Sequence, residues 1–411
     1  MANPFDPAEL IARVQRDLER SVLRARNGIR LASGERPKVA QTPKDLVWQR
    51  DKIRLYRFRS DERRYRPPVL LVMSLVSKAY IFDLRPGSSF VEVLLGRGLD
   101  VYMLDWGIPD ELESGNTLET YCDEYLPRAA DAVCAESGVE ELTVFGYCFG
   151  GVLALLYAAG NPGPPIRNLA VMATPIDFSK TGPMGAMVQE GRLDADDLID
   201  ETGNVPAAAM LQSFKMLKPT QDLVGYANLW EKLWNDEYVE SYQTMTQWGN
   251  DQIPFPGATM RQTVQMLNRE NAILNDTVRL GGRHVSLTDI TCPFLSVLAE
   301  KDHITPPAAI GPLIELVGSE DRTEMRLEAG HVGIIVGRNA AKVTMPAMAD
   351  WIVQHSGDNA GTAGGGEVDV RAPKAKPTRA SAAKGSTAKG KGAKKGAAAD
   401  TSVATAARGE Q

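Results

Sequence analysis

Short apolar runs recur along this chain at intervals that helices fill. Residues 69–73, 101–104, 142–145, 169–172 and 294–298 are almost wholly apolar. A strand with no polar face must be covered on both sides, the condition of a parallel sheet with helices above and below. Residues 52–58 alternate polar and apolar instead, as a half-exposed strand does. Residues 323–327 add a last strand, and 339–354 a closing helix. Ahead of the sheet, Leu10, Ile11, Val14, Leu18, Val22, Leu23, Ile29 and Leu31 recur at helical spacing. They predict one or two amphipathic helices over 7–32, serving either to cover the core or to dock a partner.

From 178 to 283 the rhythm changes. Helical patterning, many Met, Trp and Tyr residues and repeated Pro and Gly indicate an insertion between two strands. In such a fold an insertion sits over the carboxyl edge of the sheet as a cap or lid. After 356 the chain is dominated by Ala, Gly, Lys, Ser and Thr, without residues able to anchor a core, and is expected to be disordered. Four segments follow: an N-terminal helical segment 1–48, an α/β core built from 49–177 and 284–355, a cap 178–283, and a tail 356–411.

Charge divides along the same line. The net charge is −6, yet residues 371–411 hold ten basic and two acidic residues, leaving about −14 on the body. The basic tail suits nucleic acid or another anionic surface, or simply solubilises the chain. Cys122, Cys134, Cys148 and Cys292 show neither metal-ligand nor redox-pair spacing. The start, 1–10, is acidic and has no apolar core of a secretory signal, and no apolar run of membrane-spanning length occurs. These features lead us to expect a reduced, cytoplasmic setting.

The chemistry centres on Gly146-Tyr147-Cys148-Phe149-Gly150-Gly151, which lies between an apolar strand and a small-residue, apolar helix. Strand, tight turn and helix around G-x-C-x-G match the nucleophile elbow of α/β-hydrolases, with cysteine in place of serine. The glycines suit a strained turn in which strand and helix pack closely, and the helix N-terminus favours a thiolate. A nucleophile of this kind needs a base and a group that orients the base. Of four histidines, His331 stands in a Gly-flanked loop after the last strand, and Asp302 directly follows the strand 294–298. The order Cys148, Asp302, His331 is that of this fold. Asp289 and Asp321 are the other nearby acids. His303 is assigned as a neighbour or helix-start residue, and His284 and His355 as surface residues. An oxyanion hole needs two backbone N–H groups. Phe149 is expected to supply one, and Val76, in the loop after strand 69–73, the other. Trp230, Trp234 and Trp248 either exclude water from the site or form the cap's own core.

With these motifs in place, residues 10–354 resemble the polyhydroxyalkanoate synthases, most closely their short class III catalytic subunit (PhaC). The resemblance is carried by 80–84, 100–109, the cysteine box 146–151, 173–178, 289–293, Asp302-His303-Ile304-Thr305-Pro306-Pro307 and Gly330-His331-Val332-Gly333. At 73–78 the chain departs from the Pro- and Asn-bearing loop common in the family. The resemblance implies polymerisation of (R)-3-hydroxyacyl-CoA, with a short side chain such as 3-hydroxybutyryl, onto a growing polyester with release of CoA. No cofactor is implied beyond the CoA carried by the substrate. It also implies a second synthase subunit, and a location at the surface of polyester granules. Homo-oligomerisation is compatible with it. A thiol-dependent thioesterase or esterase, and a catalytically silent granule-binding protein, are the alternatives. A thioester at Cys148 keeps the acyl group activated for the next transfer, whereas a serine ester would not. The intact Cys148, Asp302 and His331 argue against a silent protein.

Overall fold

The computed structural model describes residues 7–60, 63–161, 163–217, 221–337 and 339–357. The basic tail expected over 356–411 lies almost wholly outside the described residues. Eight strands form the main sheet: β1 (Lys44–Arg50), β2 (Ile53–Phe58), β3 (Val69–Val72), β4 (Val101–Asp105), β5 (Leu142–Tyr147), β6 (Ile166–Met172), β7 (Phe294–Ala299) and β8 (Arg322–Leu327). They lie in the order β1-β2-β4-β3-β5-β6-β7-β8. Strand β2 runs antiparallel to both neighbours, and every pairing from β4 to β8 is parallel. All residues of β3, β5 and β7 are buried, as their unbroken apolar runs require.

The pleat sorts these residues between two cores. Leu70, Val72, Val144 and Val171 face one side, beneath α3 (Leu126–Ser137) and α4 (Phe149–Gly160). Val69, Leu71, Phe145 and Met172 face the other side. There they pack with Phe90 and Leu94 of α2 (Phe90–Gly96) and Met348 and Ile352 of a C-terminal helix, Met345–His355. Each buried aliphatic or aromatic side chain contributes about 1.5–3 kcal/mol, so this double-sided burial is the main source of cohesion.

The helix α1 (Pro7–Ala32) ends at Ala32, well short of residue 48, and β1 follows it. Strand β1 escapes the sequence pattern because it is an edge strand with a bulge between Leu46 and Trp48, which breaks the alternation. The polar side of α1 makes the contacts. Arg26 pairs with Asp236, Asn27 donates to the Leu233 carbonyl at 2.8 Å, and Arg20 lies over the Trp234 ring at 4.4 Å. Ile11, Val14, Leu18 and Val22 are exposed instead, so α1 does not cover the core.

Between β6 and β7 the chain leaves the sheet for α5 (Gly182–Gln189), α6 (Ala207–Leu217), α7 (Gln221–Lys232), α8 (Asp236–Asn250) and α9 (Gly257–Gln262). It returns through the two-residue strands Arg279–Leu280 and Arg283–His284. No described helix is long and apolar enough to cross a membrane.

Candidate active site

Strand β5 ends at Tyr147 and α4 begins at Phe149, leaving Cys148 alone in the turn with φ 55° and ψ −125°. A residue with a Cβ pays about 1–3 kcal/mol for such a backbone, and it persists only where the surroundings enforce it. Here the Cys148 N–H donates to the Met172 carbonyl at 2.8 Å, and the Gly151 N–H to the Cys148 carbonyl at 2.9 Å. The glycines permit the approach. A Cβ on Gly146 would lie 2.5 Å from the Gly151 Cα, and one on Gly150 would lie 2.6 Å from the Met73 carbonyl carbon. The first turn of α4 therefore sits directly against the chain leaving β3.

Asp302 follows β7 and is 4% exposed. Its Oδ1 accepts the N–H groups of Ile304 and Thr305, both at 2.8 Å. Its Oδ2 lies 2.7 Å from His331 Nδ1 and accepts the Thr305 hydroxyl at 2.9 Å. His331 follows β8, and its ring lies close enough to Cys148 for the sulfur to help raise its pKa. With Nδ1 on Asp302, Nε2 is the ring nitrogen left for the sulfur. The structure thus brings Cys148, His331 and Asp302 together in one line. Asp289 and Asp321 are exposed, and Asp321 instead pairs with His355 at 3.2 Å.

The electrostatics follow from this line. Burial disfavours the charged His331 ring, but the neighbouring Cys148 sulfur and the hydrogen-bonded Asp302 carboxylate more than offset it, and its pKa is raised to about 10. Burial likewise works against the Asp302 carboxylate, yet the His331 contact outweighs it and holds its pKa below the usual range. Two residues that sequence reasoning did not single out complete the setting. Tyr147 donates its hydroxyl to the His331 carbonyl at 3.1 Å, and burial pushes its pKa far up, so it stays a donor. Thr305 Oγ1 lies 3.1 Å from His331 Nδ1 and 3.2 Å from the Ala173 carbonyl. The only sequence cue to either was position, Tyr147 next to Cys148 and Thr305 three residues after Asp302.

Phe149 heads α4, so its N–H has no acceptor within the helix. Val76 lies in the turn after β3, and its carbonyl accepts the Ile253 N–H at 3.1 Å. Of the three tryptophans, Trp248 is buried and donates to the Lys78 carbonyl at 2.9 Å. Trp230 is 77% exposed, and Trp234 stacks with Arg20, so neither faces the sulfur. His284 is exposed as expected, and His303, assigned as a neighbour or helix-start residue, is exposed in a bend ahead of the short helix Pro307–Ile310. His355 is half-buried rather than fully exposed: it stacks at 4.1 Å on Trp351, one turn earlier in the same helix.

The sheet order and the elbow–acid–histidine arrangement define an α/β-hydrolase-fold enzyme. Residues 67–338 match the family model described as "alpha/beta hydrolase fold", and 10–94 match "Poly-beta-hydroxybutyrate polymerase (PhaC) N-terminus". The poly(3-hydroxyalkanoate) polymerase subunit PhaC of Allochromatium vinosum is 36% identical over 78% of this chain and 91% of its own length. The subunit of the same name from Haloferax mediterranei is 34% identical over 77% of this chain, and the match spans 65% of that relative's length. The chain belongs to this PhaC family and is an enzyme of the acyltransferase type. A solved structure, a soluble variant of monoglyceride lipase from Saccharomyces cerevisiae, is 13% identical with a TM-score of 0.48, covering 79% of this chain and 100% of that one.

Proposed function

We propose that this chain polymerises (R)-3-hydroxyacyl-CoA, of short side chain such as 3-hydroxybutyryl-CoA, through a thioester on Cys148. The observation that carries the reading is the Cys148–His331–Asp302 line in a chain of the PhaC family. His331 takes the thiol proton, and the sulfur attacks the substrate carbonyl. The N–H groups of Phe149 and Val76 stabilise the oxyanion. The new carbon–sulfur bond replaces the one to CoA, and His331 returns its proton to the leaving thiolate. One thioester becomes another, so the acyl group remains activated. The 3-hydroxyl of a second unit then attacks it, giving up its proton to His331 while Asp302 steadies the resulting imidazolium. An oxygen ester forms as the carbon–sulfur bond to Cys148 breaks, and His331 returns the proton to the departing Cys148 thiolate, which is free for the next unit.

Water is the competing nucleophile at this step. Phe255, whose ring centroid lies 5.5 Å from that of Phe149, helps cover the elbow. The reaction uses no cofactor beyond the CoA carried by the substrate. We assign the chain to the granule surface, where its polymer accumulates, with a second synthase subunit as its partner. The test is to supply (R)-3-hydroxybutyryl-CoA with and without candidate partner subunits and weigh the product. Insoluble polyester supports the reading. Stoichiometric free 3-hydroxybutyrate without polymer would make the chain a thioesterase.

A further inference from the structure

The loop after β3 is fastened to the last turn of α8 and the stretch that joins it to α9 by a set of contacts that the chemistry above does not use. Trp248 Nε1 donates to the Lys78 carbonyl at 2.9 Å, and the Ile253 N–H donates to the Val76 carbonyl at 3.1 Å. Ser77 and Gln252 form an antiparallel bridge. The Tyr80 hydroxyl donates to Asp251 Oδ2 at 2.7 Å, and the Lys78 ammonium lies 4.0 Å from the same oxygen. Trp248, Ser77 and Ile253 are buried, so these bonds are made away from competing water. The same loop abuts the elbow, since Met73 stands where a Cβ on Gly150 would fall. Three residues beyond Gln252, Phe255 meets the Phe149 ring.

We propose that Trp248, Tyr80 and Asp251 are positioning residues that make the oxyanion hole conditional on the seating of the inserted segment 247–256. The inference rests on the reading of Val76 as an oxyanion donor. A backbone donor is useful only when its peptide is already aimed, because the transition state gains nothing from a donor that must first reorganise. The Ile253 bond and the Ser77–Gln252 bridge fix the backbone on the carboxyl side of Val76. The Trp248 and Tyr80 bonds hold the next turn. Each such bond is worth about 1 kcal/mol net, so several acting together hold the loop in one state while the segment can still unseat as a unit. Unseating to admit an acyl-CoA or release a polyester chain pulls the loop with it and un-aims the donor. Attack on the thioester then waits for closure, when water is shut out. The contacts favour transfer over hydrolysis by coupling the cap to the oxyanion, and they leave the sulfur's own reactivity alone.

The test compares two reactions of Cys148 in the double variant Trp248→Phe/Tyr80→Phe. Tyr80→Phe keeps the ring and removes only the hydroxyl, and Trp248→Phe removes the indole N–H while leaving a smaller aromatic ring in its place. Iodoacetamide alkylates the sulfur by displacing iodide at a saturated carbon, which forms no oxyanion. Single-turnover acylation by (R)-3-hydroxybutyryl-CoA, followed as CoA release, does form one. Complete loss of an oxyanion donor costs roughly 100- to 1,000-fold, so loosening it should slow acylation by about tenfold or more while alkylation stays within about twofold. Unchanged acylation overturns the inference. So does a parallel fall in both rates, which would mean general loosening of the site. A wild-type enzyme that is alkylated but never acylated would instead refute the thioester reading itself.

Discussion

Replacing Asp302 by asparagine changes one atom and should nearly silence the site. Asp302 Oδ1 accepts two backbone N–H groups at 2.8 Å, so in Asp302→Asn the amide oxygen must occupy that position. The amide nitrogen then falls at Oδ2, 2.7 Å from His331 Nδ1. It donates there, Nδ1 must be the bare acceptor, and the ring proton moves to Nε2, facing the sulfur. An imidazole in that tautomer cannot take a proton from the thiol. The carboxylate charge that helps hold the imidazolium is lost as well. A carboxylate-to-amide change at such a position is worth roughly 10,000-fold in kcat where the geometry is kept, about 5 kcal/mol in the barrier. The assay is CoA release from (R)-3-hydroxybutyryl-CoA, with a denaturant melt on the same preparation. The melt should shift little, because the shape is kept. A variant that retains kcat within about tenfold of the wild type would refute the role assigned to the carboxylate.

Two further outcomes follow from particular contacts. Gly151→Ala places a methyl group against the Thr174 side chain at the base of the elbow, and should lower stability by about 1–3 kcal/mol in a urea melt, with partial recovery when Thr174→Ala is added. The His331 ring, followed by its carbon chemical shifts, should hold its proton up to about pH 10. In Cys148→Ala the leading cause of that rise is gone, burial again opposes the charged form, and the titration should move to lower pH. An unchanged midpoint would mean that the ring does not sense the sulfur.

The sheet was legible because burial on both faces leaves an unambiguous mark: β3, β5 and β7 are unbroken apolar runs. Strand β1 was not, since an edge strand with a bulge carries no clean period. The placement of Cys148, Asp302 and His331 could be read because each follows a strand, and Gly146 and Gly150 around Cys148 announce a close approach. What the sequence could not show was which side of α1 would be used. Its apolar stripe is exposed, and its arginines and Asn27 bind α8 and the turn that leads into it. Nor could it separate the tryptophans, because Trp230, Trp234 and Trp248 share one composition signal and differ only in tertiary placement. Thr305 and Tyr147 were hard to single out for a related reason: a hydroxyl that bonds His331 looks like any other until the partners are in place.

The most direct measurement of the account is the mass of the peptide that carries Cys148 after rapid quenching of a single turnover with (R)-3-hydroxyacyl-CoA. A hydroxyacyl increment on that cysteine, labile to hydroxylamine and absent from Cys148→Ala, is the predicted result. Polymer formed at the normal rate with that peptide never modified, or with the acyl group on another side chain, would contradict it.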